Sequence, residues 1–133
     1  MQRVVSSIGA LVSGLAIAVM SLPADVRADD VIAAGTFEGA SDHVTTGGVE
    51  VVKTDTGHLL KLQPDFSLDG APDPKLGFGN DGEYDTATTF SPLNANSGAQ
   101  TYELPASLDP TGYNEAYVWC EQFSVPLGIA KLQ

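Results

Sequence analysis

The sequence predicts a single all-β domain at 29–133, an antiparallel β-sandwich with Greek-key or jelly-roll-like connections, behind a signal peptide at 1–28. Glycine, proline, aspartate and asparagine punctuate the chain at intervals of roughly eight to twelve residues. The runs between them are rich in valine, threonine, phenylalanine and tyrosine, which favour strands. No stretch of about twelve residues or more has the period of an amphipathic helix. A length of 133 residues fits one such domain.

The start of the chain has the three-part layout of a secretory signal peptide. Arg3 provides a basic start, an apolar run covers 4–22, and Val26 and Ala28 supply the small residues that precede a cleavage site. Cleavage after Ala28 predicts export to the periplasm or the extracellular medium. The alternative is an uncleaved anchor, because the run is nearly long enough to span a bilayer. The mature chain has no other long apolar run, and no membrane span is expected in it.

Short strands are predicted along the whole mature chain. The clearest pair is a hairpin of 49–53 and 58–62, closed by a type I turn at 54–57 with Gly57 in the left-handed conformation. Residues 100–104 alternate polar and apolar side chains, as in a half-buried strand. The other predicted strands are 33–37, 76–78, 88–93, 116–120 and 124–127, with 129–132 as a candidate continuation of the last.

Two segments between these strands have features of their own. Residues 72–85 are rich in glycine, aspartate and proline and have the composition of a long surface loop, with 76–78 as one short strand inside it. Tyr113 precedes the predicted strand 116–120 and suggests, by analogy, a tyrosine corner, whose hydroxyl bonds to backbone a few residues upstream. The alternative for Tyr113 is a partly exposed loop tyrosine.

The charge of the chain restricts its partners. Six basic and seventeen acidic side chains give a formal net charge of −11. A surface of this sign repels a phosphate backbone, so nucleic acid is excluded as an ordinary electrostatic partner. The same field attracts basic partners, and a basic redox protein such as a cytochrome is one candidate. The alternative is that the charge serves solubility or a salty habitat.

The last two predicted strands carry a resemblance to the DM13 domain family. The run Val118-Trp119-Cys120, followed by Phe123, Val125, Gly128, Ala130 and Leu132, resembles the end of that domain. The remaining similar positions, in order, are Gly35, Phe37, His43, Gly48, Leu60, Leu62, Phe66, Gly70, Pro72, Asp73, Leu93, Gly98, Gln100, Tyr102, Leu104, Pro105 and Tyr113. The resemblance departs at the Gly-Pro-Asp step, which reads Gly70-Ala71-Pro72-Asp73-Pro74 and precedes a Gly/Asp-rich insert.

This resemblance implies an extracytoplasmic β module with a proposed role in electron transfer. The family's single cysteine, Cys120 in this chain, would act as a bare redox thiol or as a ligand of a prosthetic group such as haem. The residues themselves add His43, oriented by the neighbouring Asp42, as a candidate second ligand, and Trp119 as part of the wall around the sulfur. The alternative for His43 is a solvated loop histidine.

The residues themselves leave the role of Cys120 open. A lone cysteine cannot form an internal disulfide, and an exposed thiol in an oxidising compartment tends to be oxidised. The alternative is an inert cysteine that fills a core strand, because free cysteine is among the most buried residue types. Alternation places Val118 and Cys120 on one face and Tyr117 and Trp119 on the other, and both faces are apolar.

Several cofactors are compatible with these residues to different degrees. Haem on Cys120, alone or with His43, is allowed, but covalent c-type haem is not, because the chain has no Cys-x-x-Cys-His. Copper held by Cys120, His43 and His58 would have the ligand set of a blue-copper site. It is disfavoured, because both methionines lie in the signal segment and no histidine follows Cys120. Calcium is a further alternative, from Asp69, Asp73, Asp81, Glu83 and Asp85 with Asn80.

Two functional hypotheses follow. The first is an exported redox or electron-transfer domain centred on Cys120, an accessory rather than a conventional enzyme, since the chain lacks a Gly-x-Ser-x-Gly nucleophile motif. The second is a non-enzymatic module that recognises another exported protein or a glycan through its loops, with Cys120 buried in the core.

Overall fold

The computed structural model describes residues 30–133, and this part of the chain is all-β with antiparallel pairing throughout. The predicted signal peptide at 1–28 lies outside the described residues. Two short 3-10 turns occur, at Thr86–Thr88 and Pro110–Gly112. The strands are β1 (Asp30–Gly39), β2 (Thr45–Thr46), β3 (Gly48–Lys53), β4 (His58–Leu62), β5 (Ser67–Leu68), β6 (Pro74–Asn80), β7 (Glu83–Asp85), β8 (Ser91–Pro92), β9 (Gln100–Glu103), β10 (Glu115–Cys120) and β11 (Val125–Lys131).

One curled nine-stranded sheet builds the predicted sandwich. Its order is β7-β6-β10-β11-β1-β3-β4-β9, with β8 beside β6, and β2 and β5 form a separate pair. Strand β1 belongs to both halves of the sheet, because residues 30–36 pair with β3 and residues 37–39 pair with β11. The all-β, sandwich-like prediction is therefore confirmed, and β1 is the strand that joins its two halves.

A continuous apolar core lies between the two halves. One half contributes Val49, Val51, Leu60, Leu62 and Tyr102, the other contributes Leu76, Phe78, Ala116, Val118, Cys120, Leu127 and Ala130, and Phe37 comes from the shared strand. Both sets belong to one cluster of buried side chains, so the halves are held together mainly by burial of apolar surface. The described residues include no helix with the length and apolarity that a bilayer crossing requires.

The predicted hairpin of β3 and β4 is present, but its turn closes differently. The Thr54 amide donates to the Gly57 carbonyl (2.8 Å). The Thr54 hydroxyl accepts from the amides of Thr56 (3.3 Å) and Gly57 (3.1 Å). Gly57 does not have a positive φ, so its predicted left-handed conformation is wrong. The threonine hydroxyl stabilises this turn instead.

The prediction of a long surface loop at 72–85 is also wrong. Strand β6 runs from Pro74 to Asn80, pairs with β10 along its length and buries its central residues. It then turns through Asp81 (φ 53°) and Gly82 (φ 86°) into β7. Positive φ at both central positions is the requirement of a tight two-residue hairpin, which an Asp-Gly pair meets.

The remaining strands lie where they were predicted, but several of them differ from the prediction in length. Strand β9 and the residue after it show the predicted alternation, with Tyr102 and Leu104 buried and Thr101 and Glu103 exposed. Strand β1 extends beyond the predicted 33–37 at both ends, and the two predicted segments 124–127 and 129–132 form the single strand β11. The predicted 88–93 strand contracts to β8, because Thr88 ends a 3-10 turn.

Tyr113 does not form the predicted tyrosine corner. Its hydroxyl donates to the carboxylate of Asp85 (3.1 Å), at the end of β7, rather than to upstream backbone. Its ring packs beside Phe78, with centroids 5.8 Å apart. The contact connects the loop before β10 to the β6–β7 hairpin.

Candidate functional site

Three loops meet at the end of the sandwich where β10 finishes, and they enclose the candidate site residues. The loops are 40–44, 69–73 and 121–124. The Asp69 amide donates to the Val44 carbonyl (3.0 Å), and the Glu121 amide donates to the Asp73 carbonyl (3.2 Å). The middle loop therefore connects the other two, and we refer to residues 69–73 as the covering segment.

Cys120 is the last residue of β10 and lies beneath the covering segment. It is 1% exposed and belongs to the apolar core, on the same face of β10 as Val118. Its backbone lies opposite Pro74 of β6 and Val125 of β11. Its Sγ–H donates to the Pro72 carbonyl oxygen, with Sγ 3.1 Å from the oxygen. The sulfur is thus buried, hydrogen-bonded and separated from solvent by a loop.

His43 is held at the other end of the covering segment. Its Nδ1 lies 2.9 Å from Oδ1 of Asp69, and Oδ2 of Asp69 accepts the amide of Val44 (3.0 Å). The carboxylate that orients the imidazole is therefore Asp69, 26 residues away in sequence, and not the neighbouring Asp42 of the prediction. The Val44 amide first, and then the hydrogen bond from His43, lower the pKa of Asp69 below its usual value.

His43 and Cys120 both bind the covering segment, at different residues. His43 contacts Asp69, whereas Cys120 contacts Pro72, three positions further along the chain. Trp119 is on the opposite face of β10 from Cys120, where its ring stacks on Tyr84 with centroids 4.3 Å apart and an interplanar angle of 13°. It does not form the predicted wall around the sulfur, because successive strand residues point to opposite faces.

The predicted metal ligands are dispersed over the fold. Residues 30–133 contain no group of three or more histidine, cysteine, aspartate or glutamate side chains placed to hold one metal ion. For the copper set, His58 starts β4 in the other half of the sheet from Cys120. For the calcium set, Asp69 holds His43, Asp73 pairs with Lys75 (3.1 Å), and Asp85 caps a 3-10 turn. The described geometry therefore supports neither a three-ligand copper site nor the calcium cluster.

Comparison with known protein families identifies the family to which this chain belongs. The profile of the family described as "Electron transfer DM13" matches residues 36–132, which include β2 to β11 and the end of β1 from residue 36 onward. The chain belongs to the DM13 family. The match spans every strand around Cys120 and the whole covering segment, and the family description supports a general electron-transfer role. No curated protein and no solved structure shows significant similarity to this DM13 chain.

Three partners of the predicted site residues in this DM13 domain were not identified from the sequence: Asp69 for His43, Pro72 for Cys120 and Tyr84 for Trp119. Asp69 was considered only as a calcium ligand, Pro72 only as a family position, and Tyr84 not at all. The contact of Asp69 with His43 joins residues 26 apart, and that of Pro72 with Cys120 joins residues 48 apart. Tyr84 left no local signal, because its stacking partner Trp119 lies on a strand distant in sequence. Pairing of distant segments cannot be derived from local periodicity.

The Asp69 carboxylate is expected to make the stability of this loop cluster depend on pH. Its pKa is lower in the folded chain than the ordinary value of 3.8, so its contribution is present above pH 3.8 and is lost as the pH falls through the folded pKa. Asp69→Asn should therefore be less stable than the wild type at neutral pH, and the difference should vanish in acid. Urea unfolding over a pH series measures this difference. His43→Gln should retain most of the dependence, because the Val44 amide contributes most; a difference that does not change with pH would contradict the assignment.

Proposed function

We propose that the protein is an exported electron-transfer domain in which Cys120 is the redox centre, either as a bare thiol or as a ligand of a prosthetic group such as haem. The observation that carries the proposal is the environment of Sγ. The chain's single cysteine lies at the end of a core strand and donates to the Pro72 carbonyl under the covering segment. The family description supports the electron-transfer part of this proposal.

The covering segment offers a route to the buried sulfur. Pro72 and Asp73 are exposed, and Gly70 (φ 110°) and Asp73 (φ 52°) have left-handed backbone conformations. Displacement of this segment would break the bond to Sγ and uncover it without separating the paired strands. The same movement would carry Asp69 and its partner His43. His43 is therefore our candidate second ligand for a cofactor on Cys120.

The proposed partner is a basic redox protein. The net charge of −11 favours association with a positively charged surface and should make that association weaken as salt increases. A basic cytochrome has this chemistry. The predicted signal peptide at 1–28 supports an exported location for this protein, and the proposed partner would be exported as well.

The test is replacement of the sulfur by oxygen. In Cys120→Ser the hydroxyl can still donate to the Pro72 carbonyl, so the free energy of unfolding should fall by only about 1 kcal/mol. We expect this variant to lose the redox response of the domain, measured by voltammetry and by the visible spectrum of protein exported with its own signal and purified without reductant. His58→Gln, in a different part of the fold, should keep both signals. An unchanged redox response in folded Cys120→Ser would overturn the proposal.

A second function is favoured by the burial of Cys120 together with two exposed apolar side chains at the same end. Val44 (63% exposed) and Phe123 (62% exposed) lie on the two loops that the covering segment connects. A non-enzymatic module would recognise another exported protein or a glycan through these loops. In that case Val44→Ser with Phe123→Ser would weaken binding to the partner, whereas Cys120→Ser would leave it unchanged.

A further inference from the structure

A second aromatic cluster lies on the outer face of β10, away from the core and from Cys120. Tyr84 is at its centre. Its ring centroid is 4.3 Å from that of Trp119, in a stacked geometry, and 5.1 Å from that of Tyr117. We call Tyr84, Tyr117 and Trp119 the outer cluster. Its three rings form a continuous series from the partly exposed Trp119 to the buried Tyr117.

Two glycines of β6 make room for these rings. Gly77 lies opposite Tyr117 on β10, and Gly79 lies opposite Tyr84 on β7. A Cβ at Gly77 would overlap the Tyr84 hydroxyl, and one at Gly79 would lie 2.7 Å from Cε2 of Tyr117. Because β6 has no side chains at these two positions, the rings of the outer cluster pack directly against its backbone, and the sheet fixes the ring positions.

The buried end of the outer cluster has a carboxylate on its hydroxyl. Tyr117 donates to Oε1 of Glu115 (3.1 Å), and the same oxygen accepts the amide of Gly82 (2.7 Å). Glu115 is only 5% exposed and lines a surface cavity of about 710 Å³ with Glu38 and Lys131. Burial, and then the hydrogen bond and charge of Glu115, raise the pKa of Tyr117 above its usual value. The phenol is therefore neutral, with one carboxylate placed to take its proton.

We propose that the outer cluster is a redox relay, in which Trp119 receives an oxidising equivalent at the surface and Tyr117, reached across the ring of Tyr84, holds it while Glu115 takes the proton. A strong one-electron oxidant removes one electron from the Trp119 indole and is itself reduced by one electron. The Tyr117 phenol then gives one electron to Trp119 across the intervening ring of Tyr84, which keeps its own electrons and its hydroxyl proton. The Tyr117 O–H bond breaks, its proton passes to Oε1 of Glu115, and a neutral tyrosyl radical is left.

The three steps follow from contacts and chemistry. Electron transfer between aromatic rings falls steeply with distance, and these rings are direct neighbours. Loss of an electron makes a phenol hydroxyl strongly acidic, and Glu115 already accepts the hydrogen bond along which the proton moves. The relay goes beyond the proposed function, because no step uses Cys120, which lies on the other face of the strand.

The experiment oxidises the protein with photogenerated tris(bipyridine)ruthenium(III), using a cobalt(III) ammine as the irreversible acceptor. Transient absorption follows the tryptophanyl and then the tyrosyl radical, and freeze-quench electron paramagnetic resonance identifies the final radical. Tyr117→Phe should lose the long-lived tyrosyl signal. Glu115→Gln keeps an oxygen that can accept from Tyr117 but cannot take a proton, so tyrosyl formation should slow by about 10²-fold or more. Tyrosyl formation in Glu115→Gln should also lose the solvent deuterium isotope effect on its rate that the wild type shows.

Tyr113 supplies the matched control. Its hydroxyl also donates to a carboxylate at 3.1 Å, that of Asp85, but its ring is outside the outer cluster. Tyr113→Phe should therefore keep the tyrosyl signal. A signal that survives in Tyr117→Phe, or disappears in Tyr113→Phe, would overturn the relay. Cys120→Ser should form the tyrosyl radical as the wild type does. The relay and the proposed function of Cys120 can therefore succeed or fail separately.

Discussion

Phe78→Ala is expected to lower the free energy of unfolding by about 3–5 kcal/mol, the range found when a buried aromatic ring is replaced by a methyl group. Phe78 is fully buried, on the strand β6 that pairs with β7, β8 and β10. Its ring lies 5.9 Å from that of Phe90 and 5.8 Å from that of Tyr113, measured between centroids. The Phe90 amide donates to the Leu76 carbonyl (3.0 Å) and the Tyr113 hydroxyl to Asp85, so these neighbours cannot collapse into the space left behind.

Urea unfolding followed by circular dichroism measures this loss. Phe123→Ala is the matched control, because the same side chain is removed from a turn where it is 62% exposed. That variant should differ from the wild type by no more than about 0.5 kcal/mol. Equal losses for the two variants would show that β6 does not lie at the centre of the core.

Strands with a clear pattern of apolar residues could be predicted from the sequence. Residues 100–104 alternate as a half-buried strand requires, and residues 116–120 are a continuous apolar run typical of a strand covered on both faces. Strands β9 and β10 lie at these positions. The hairpin of β3 and β4 was predicted at the right position in the sequence, because two β-rich runs flank a polar turn. In these segments the side chains that define the pattern also form the core.

The region 72–85 could not be predicted, because its glycines serve packing rather than turning. Glycine weakens a strand by propensity, and two of them at Gly77 and Gly79 suggest a loop. In the structure they face the outer cluster, where any side chain would displace Tyr84 or Tyr117. The need for glycine comes from rings on other strands, and only the Asp81-Gly82 turn left a local signal.

The candidate site was predicted in its residues but not in its arrangement. Both faces of β10 are apolar, so alternation separated Cys120 from Trp119 without showing which face is the core. The structure assigns Cys120 to the core and Trp119 to the outer face. The partners of the site residues, Asp69 and Pro72, come from loops distant in sequence. Such contacts depend on the folded topology and cannot be read from local spacing.

Gly79→Ala is expected to destabilise the domain by about 3 kcal/mol, at the upper end of the usual cost of overpacking. The added Cβ would overlap the carbonyl oxygen of Glu83 and approach Cε2 of Tyr117 to 2.7 Å. The Glu83 carbonyl is backbone of the β6–β7 hairpin, so it cannot rotate away as a side chain would. Relief requires that β7 separate from β6, which would move Tyr84 from its place between Tyr117 and Trp119.

The same variant is expected to change the near-ultraviolet circular dichroism, because the outer cluster holds the chain's only tryptophan against two tyrosines. Gly57→Ala is the matched control. No atom lies within 4 Å of the position its Cβ would take, and Gly57 does not have a positive φ. Its stability should stay within about 0.5 kcal/mol of the wild type and its near-ultraviolet spectrum should not change. If Gly79→Ala behaved in the same way, β7 could not pack against β6 as the structure has it. The packing of the outer cluster against the β6 backbone would then also be wrong. A large loss at Gly79 alone would instead show that this position requires glycine because β7 and the Tyr117 ring approach its backbone closely.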